Sequence, residues 1–353
     1  MARAPIERPE DLFHFGDGEE TSAMVEPPVA VPSPAPTTSA RTRQGAEPGE
    51  KVLITGIAGG QGRLIARRIA GSYEVTGTDR TPWEGAPAGL RLHVLDVRKR
   101  KFEDVFRTER PDTVIHLAFI RHFRTEPEVR HEVNVLGTKR VLEYAVAHGV
   151  KRVIVLSSGY VYGALPDNPY YMTEDFPLNV SRTYPEIRDL AEVDTLATTF
   201  LWQHPEVATT ILRPVNTLGY YVHSSIGGYL RRRLIPTIMG FNPMMQFIHE
   251  EDVAEAVALA LQSGTHGIYN VVGPGAVPLK VAIAETGGTS VPVPESFARA
   301  VFGRLFRLGL FPTPASAMDF LKYPVTLDGR RFQRETGFRP LFTLEDIFAS
   351  VRR

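Results

Sequence analysis

The stretch Lys51-Val-Leu-Ile-Thr-Gly-Ile-Ala-Gly-Gly-Gln-Gly-Arg-Leu-Ile-Ala constrains this chain more than any other. A short apolar run passes through Gly56, Gly59 and Gly62 into an amphipathic segment, with Leu64, Ile65 and Ile69 set against Arg63, Arg67 and Arg68. A strand that turns into a helix through glycines presents bare backbone N–H groups at the positive end of the helix dipole. That arrangement suits a pyrophosphate. The spacing is GxxGxxG rather than GxGxxG, and tight turns of many kinds use three glycines, so the context carries the reading. A second strand, Tyr73 to Thr78, ends at Asp79, twenty residues past Gly59. An acid there accepts from both hydroxyls of an adenosine ribose and meets an added 2′-phosphate with like charge, which predicts NAD over NADP. Arg80 is the neighbouring cation that would soften this preference.

Beyond this turn, β-branched and apolar runs at Arg91–Leu95, Asp112–Ala118, Lys151–Leu156 and Val207–Leu212 alternate with helical periods. The alternation predicts an α/β fold, a Rossmann-type doubly wound parallel sheet with a smaller C-terminal substrate-binding lobe. The expected division is a Pro-rich disordered tail over 1–48, a cofactor-binding domain over 49–220 with 247–273, and the lobe over 221–246 with 274–353. The tail reading follows from Glu26-Pro-Pro-Val-Ala-Val-Pro-Ser-Pro-Ala-Pro, which offers few backbone donors and little apolar surface.

Composition removes several function classes. Forty basic residues balance forty acidic ones, so no global field favours nucleic acid or an anionic membrane. The absence of cysteine excludes disulfides, thiolate zinc sites and cysteine nucleophiles. No metal site is expected. No apolar run reaches the roughly 20 residues that cross a bilayer, and the N-terminus lacks the apolar core of a signal peptide, so a cytoplasmic protein without an integral membrane segment is expected.

Ligands of a parallel sheet gather at the C-terminal ends of its strands. Asp96 and Val97 follow one strand and would meet the adenine; Leu117 and Ala118 follow another and would run along the cofactor's ribose and phosphates. Asp96 and the nearby His116 read equally well as a loop acid and a packed histidine. Asn134 interrupts the apolar stripe of a helix expected over Glu126–His148, where a buried amide would fix backbone near the site. The next strand ends in Ser157-Ser158, and Tyr184-Pro-Glu-Ile-Arg188 follows at an expected helix start. Ser158 and Tyr184 can converge on one substrate hydroxyl as hydrogen-bond donor and general base.

In order, TGIAGGQG at 55–62, Asp79, LDV at 95–97, HLA at 116–118, NVLGT at 134–138, SSGYVYG at 157–163, LRPVNTLG at 212–219, FIHEEDVAEAV at 247–257 and GIYNVVG at 267–273 resemble the extended short-chain dehydrogenase/reductases, the NAD-dependent epimerase/dehydratase group that includes UDP-galactose 4-epimerase. The resemblance implies an NAD-dependent oxidoreductase acting on a hydroxyl of a sugar nucleotide or similar substrate. It also implies a homodimer built from the helix at 126–148 and the one beginning near Tyr184, with Leu136, Val141, Leu190 and Leu196 as candidate contacts. It departs from the family at two positions. Arg188 stands where a lysine normally lowers the tyrosine pKa from about 10 towards neutrality. Met245 stands where nucleotide-sugar enzymes commonly carry an arginine, leaving Asn216 and Arg231 as candidate contacts for the substrate. These departures keep a second reading open, a cofactor-binding regulatory or scaffold protein without turnover.

Overall fold

The computed structural model describes residues 49–352 apart from 122–124, 262–264 and 309–313, so the proline-rich tail lies outside the described residues. Strands β1 (Lys51–Thr55), β2 (Glu74–Asp79), β3 (Arg91–Val94), β4 (Thr113–His116), β5 (Arg152–Leu156) and β6 (Ala208–Pro214) form six of the seven strands of the main sheet. After them come β7 (Asn216–Leu218), β8 (Leu234–Ile238), β9 (Met244–His249), β10 (Gly267–Val271), β11 (Ala276–Pro278) and β12 (Thr289–Val293). Of these, β10 completes the main sheet, whose order is β10-β6-β5-β4-β1-β2-β3 with every pairing parallel. Strand order reverses between β1 and β4, and a crevice opens beyond the carboxyl ends of strands at such a switch point.

Both faces of the sheet are covered, because neighbouring residues of one strand enter different cores. In β1, Ile54 packs with Ile65, Ile69, Val253 and Val257, whereas Leu53 packs with Phe102, Phe106, Val141 and Phe200. The helix Gly60–Ile69 lies beside the helix Glu250–Ala260 on the first face.

Strand β9 pairs in parallel with β7 and antiparallel with β11 in a separate three-stranded sheet, and β8 pairs with β12. Leu218, Leu230, Ile235, Phe247, Ile347 and Phe348 form the core beneath these strands.

Two helices depart from regularity where the sequence carries site candidates. The long helix expected over 126–148 is Pro127–His131, a π-turn at Glu132–Leu136 and then Gly137–Ala147. Asn134 sits inside the π-turn, a widening of the helix often found at functional sites. The second departure is at Tyr184, which ends the short helix Val180–Thr183 with extended backbone, φ −142° and ψ 75°. Pro185 follows it, and the residue before a proline is driven out of the helical region. A 3-10 turn, Pro185–Ile187, then precedes the helix Arg188–Gln203. Tyr184 and Arg188 therefore do not share one helix face.

Candidate functional site

The glycine turn is built for close backbone approach. Gly56 has φ +75°, and a Cβ there would lie 2.7 Å from the Leu117 carbonyl oxygen and 2.8 Å from the Ala118 nitrogen. A Cβ on Gly62 would lie 2.4 Å from the Gly56 oxygen, and one on Gly59 3.3 Å from the same atom. The helix Gly60–Ile69 begins without a side-chain cap at Gly59 and without an acid in its first turn, which leaves its N-terminal dipole to an incoming anion.

Asp79 closes the turn from the β2 side. Its carboxylate accepts from the Ala58 N–H at 3.0 Å and from the Thr81 N–H at 3.0 Å, so it is fixed at the mouth of the turn, with Arg80 exposed beside it. Asp96 is gripped by Arg98 through the guanidinium at 2.7 Å and the backbone N–H at 2.9 Å. Burial opposes its ionisation, but these bonds and the charges of Arg98 and Arg80 bring its carboxyl below the usual range. Val97 packs into the core under this bend.

Leu117 follows β4, its N–H bound to the Thr55 carbonyl, so this strand end and Ala118 form the wall facing Gly56. His116 is fully buried between the Thr55 hydroxyl at 2.7 Å and the Thr138 hydroxyl at 2.9 Å, and burial pushes its pKa down to about 3. It is a neutral packed histidine. Asn134 clamps the next stretch of chain, accepting from the Ile120 N–H at 2.8 Å and donating to the Ile120 carbonyl at 3.0 Å and to Asp189. Both ends of this buried amide are taken by protein. From the same stretch Arg121 donates to the Leu156 carbonyl at 2.9 Å, directly under the end of β5.

At that end Ser158 is buried, its hydroxyl accepting from the Tyr160 N–H at 3.2 Å. Tyr184 is buried with Ala164, Val180, Ile187, Ala191 and Phe320. Phe320 stands between two tyrosines, its ring centroid 4.7 Å from Tyr160 and 5.7 Å from Tyr184. Burial pushes the Tyr184 hydroxyl well above its usual pKa, Tyr160 and Glu186 add to the rise, and Arg130 opposes it.

Arg130 is the cation that sequence reading missed. It is buried, forms an ion pair with the buried Asp189 at 3.4 Å and donates to the Glu186 carbonyl, so it holds the irregular segment after Tyr184. Arg188 opens the next helix with an exposed side chain, after the 3-10 turn that separates it from Tyr184. No sequence signal marks Arg130, but Pro185 already shows that the tyrosine and Arg188 are separated by a break.

Behind Ser158 lies a buried polar network. Ser157 donates to Asp194 at 2.6 Å, and Asp194 is paired with Arg213 at 2.5 Å. Arg213 also donates to the Tyr162 hydroxyl at 2.8 Å, which in turn donates to Asn270 at 2.7 Å. Here a signal did exist: an arginine inside the apolar run of β6 requires a buried counter-charge.

Glu250 is a second missed residue. Its buried carboxylate accepts from the N–H groups of Tyr220 at 2.8 Å, Tyr221 at 3.0 Å and Val222 at 2.7 Å, and its carbonyl accepts from Gln61 at 3.0 Å. The loop so held sits against the glycine turn, where a Cβ on Gly60 would come within 2.1 Å of the Tyr221 oxygen.

A pocket opens beside Gly159, walled by Tyr160, Asn216, Met244, Met245, Phe320 and Tyr323. Asn216 accepts from the Tyr160 hydroxyl at 2.6 Å and donates to the Gln246 carbonyl at 2.9 Å. Arg231 donates to the Gly219 carbonyl at 2.9 Å. Among the described residues no cluster of His, Asp or Glu is placed to hold a metal ion, and no helix is long and apolar enough to cross a membrane.

Comparison with known proteins agrees with this fold. Residues 52–272 match the model of the NAD dependent epimerase/dehydratase family. An uncharacterised protein of Mycobacterium tuberculosis is 29% identical over 313 residues, 84% of this chain and 82% of its own length. The solved Thermus thermophilus UDP-glucose 4-epimerase in complex with NAD is 24% identical, with a TM-score of 0.68 over 85% of this chain and 97% of that one. The dTDP-glucose 4,6-dehydratase of Bacillus anthracis, also solved with NAD, is 16% identical, with a TM-score of 0.66 over 86% of this chain and 96% of that one.

Proposed function

The chain belongs to the NAD-dependent epimerase/dehydratase family, and from that premise we propose that it oxidises a hydroxyl of a sugar nucleotide or similarly hydroxylated substrate, with Tyr184 as base and Ser158 as hydrogen-bond partner. What supports this reading is that Ser158 directly precedes Gly159 and Tyr160, two residues of the pocket wall, and that the Tyr184 ring lies 5.7 Å, centroid to centroid, from the wall residue Phe320.

The cofactor fits the residues present, because the bare glycine cradle admits a backbone-hugging pyrophosphate and Asp79 is fixed where it would accept the ribose diol. When bound, NAD supplies a hydride acceptor. The chain's own groups do the remaining work. Gly56, Gly59 and Gly62 seat the phosphates, Asp96 and Val97 border the adenine, and Leu117 and Ala118 back the cofactor's ribose and phosphates. Ser158 holds the substrate oxygen while Tyr184 removes its proton. Residues 221–246 and 274–353 form the substrate side.

Asp79→Ala should weaken NAD binding by about tenfold or more, the scale of losing a charged hydrogen-bond acceptor worth roughly 1.5–3 kcal/mol. NADP should bind more weakly than NAD to the wild type and gain relative to it in the variant. Calorimetry with both cofactors checks this, and equal or tighter NADP binding by the wild type would overturn the role of Asp79.

A homodimer is part of the same reading. Val141 is fully buried in the subunit's own core, so it contributes no contact there, whereas Leu136 is 43% exposed and Leu190 and Leu196 are half-buried. Light scattering should give a dimer mass at micromolar concentration, and Leu136→Glu should shift it towards monomer; a wild-type monomer would remove the interface.

A further inference from the structure

Glu250 occupies an interior position that its charge makes costly, and the chain around it is shaped to keep it there. The residue is 1% exposed. Its carboxylate accepts from three successive N–H groups, those of Tyr220, Tyr221 and Val222, which together form a concave anion site filled from within the chain. Burial and the neighbouring Glu251 raise its pKa, and the three N–H bonds oppose that rise. Gly219 makes the space: a Cβ there would lie 2.0 Å from the Glu250 carboxyl carbon.

What this carboxylate holds lies against the opening of the helix Gly60–Ile69. A Cβ on Gly60 would lie 2.1 Å from the Tyr221 carbonyl oxygen and 3.2 Å from the Val222 nitrogen, so the loop backbone rests directly on the first residue of that helix. Gly60 stands outside the triplet of Gly56, Gly59 and Gly62, and its missing side chain makes room for this loop rather than for the turn itself. The next residue, Gln61, donates its side-chain amide to the Glu250 carbonyl at 3.0 Å. Glu250 therefore fixes Gly60 through the loop and Gln61 through its own backbone. These two residues open a helix that has neither a side-chain cap nor an acid in its first turn. Their N–H groups are among those at a helix start that have no partner within the helix, and they lie at the positive end of its dipole.

We propose that Glu250 is a positioning residue for the cofactor. By holding the loop at 220–222 against Gly60 and its own carbonyl on Gln61, it fixes the backbone N–H groups that receive the NAD pyrophosphate. The proposal rests on the NAD reading of the glycine turn. Donors fixed in advance need no ordering when the anion arrives, and affinity is gained by that saving. Loss of the carboxylate leaves three N–H groups without their acceptor and lets the loop part from the helix start. The loss should therefore fall on the diphosphate of the cofactor and spare the adenosine, which Asp79 meets from the β2 side.

The test uses the full chain. NAD, ADP and adenosine are titrated by calorimetry into the wild type, Glu250→Ala, Glu250→Gln and Gln61→Ala, and the melting temperature of each protein is measured without ligand. Glu250→Ala should weaken NAD and ADP about tenfold or more, within the loss that a misplacement of about 1 Å can bring. Adenosine should bind this variant as it binds the wild type. Glu250→Gln keeps the shape but accepts through one oxygen alone, so it should fall between the wild type and Glu250→Ala. Gln61→Ala removes one of the two holds and should weaken NAD and ADP by less. If both Glu250 variants fail to fold, Gln61→Ala decides. A purely structural role would lower the melting temperature of the Glu250 variants and leave their NAD and ADP affinities unchanged, and that result overturns the proposal. So does an equal loss for adenosine, and so does tighter NAD binding by Glu250→Gln, which would show the carboxylate acting on the phosphates by repulsion. Failure of the underlying reading looks different: a wild type that binds neither NAD nor ADP removes the cofactor itself.

Discussion

Tyr184→Phe is expected to lower kcat by about 10²–10⁴-fold, the usual contribution of a positioned general base, while NAD affinity measured by calorimetry stays unchanged. The phenol is buried beside Phe320, away from the glycine turn, so its loss removes a proton acceptor without touching the cofactor cradle. The pH profile carries the sharper half of this prediction. A base must lose its proton to work, and burial together with Tyr160 and Glu186 raises the Tyr184 pKa, so activity should climb with pH into the alkaline range. Arg130 opposes the rise. Arg130→Met should therefore move the alkaline limb further up, whereas Arg188→Met, which removes an exposed charge at the start of the next helix, should move it much less. Arg188→Lys should leave the profile near wild type. A larger shift from Arg188→Met than from Arg130→Met would restore to Arg188 the role that the family pattern gives to lysine.

The largest effect on stability is expected from the pair behind Ser158. Arg213→Met should destabilise the protein by about 3–5 kcal/mol in denaturant unfolding, because it leaves Asp194 buried without a counter-charge. The exposures are 2% for Arg213 and 0% for Asp194, so water cannot replace the lost partner. The double variant Arg213→Met, Asp194→Leu should recover part of this loss, since removing both charges also removes their desolvation. Equal destabilisation by Arg213→Met and the double variant would show that packing rather than charge dominates. The same network holds Ser157, the neighbour of Ser158, at 2.6 Å from Asp194, so a variant that still folds should lose kcat before it loses NAD affinity.

Much of this arrangement was legible in the residues. The glycine turn, the acid at the end of β2 and the alternation of strands and helices follow from local periodicity and backbone sterics, and β1, β2, β4, β5 and β6 lie within a residue or two of their expected positions. The pairing of β9 with β7 and β11 is set by long-range contacts that local periodicity does not encode. The π-turn around Asn134 leaves no mark in the sequence beyond the buried amide. Pro185 did leave a mark, and it explains why Tyr184 and Arg188 part company. Arg130 and Glu250 were illegible because each acts on chain remote from it, Arg130 on the segment at 186–189 and Glu250 on the loop at 220–222.

The central claim is that one site joins a glycine-cradled NAD to a hydroxyl held by Ser158 and Tyr184. The most direct test is cofactor absorbance together with product analysis, recorded when NAD-saturated wild type and Tyr184→Phe are each mixed with a panel of nucleotide sugars. The account predicts that the wild type converts at least one hydroxyl to a ketone or an inverted centre and that Tyr184→Phe does so at a small fraction of that rate. Tight NAD binding with no conversion of any substrate, or wild-type turnover that survives in Tyr184→Phe at full rate, would contradict it.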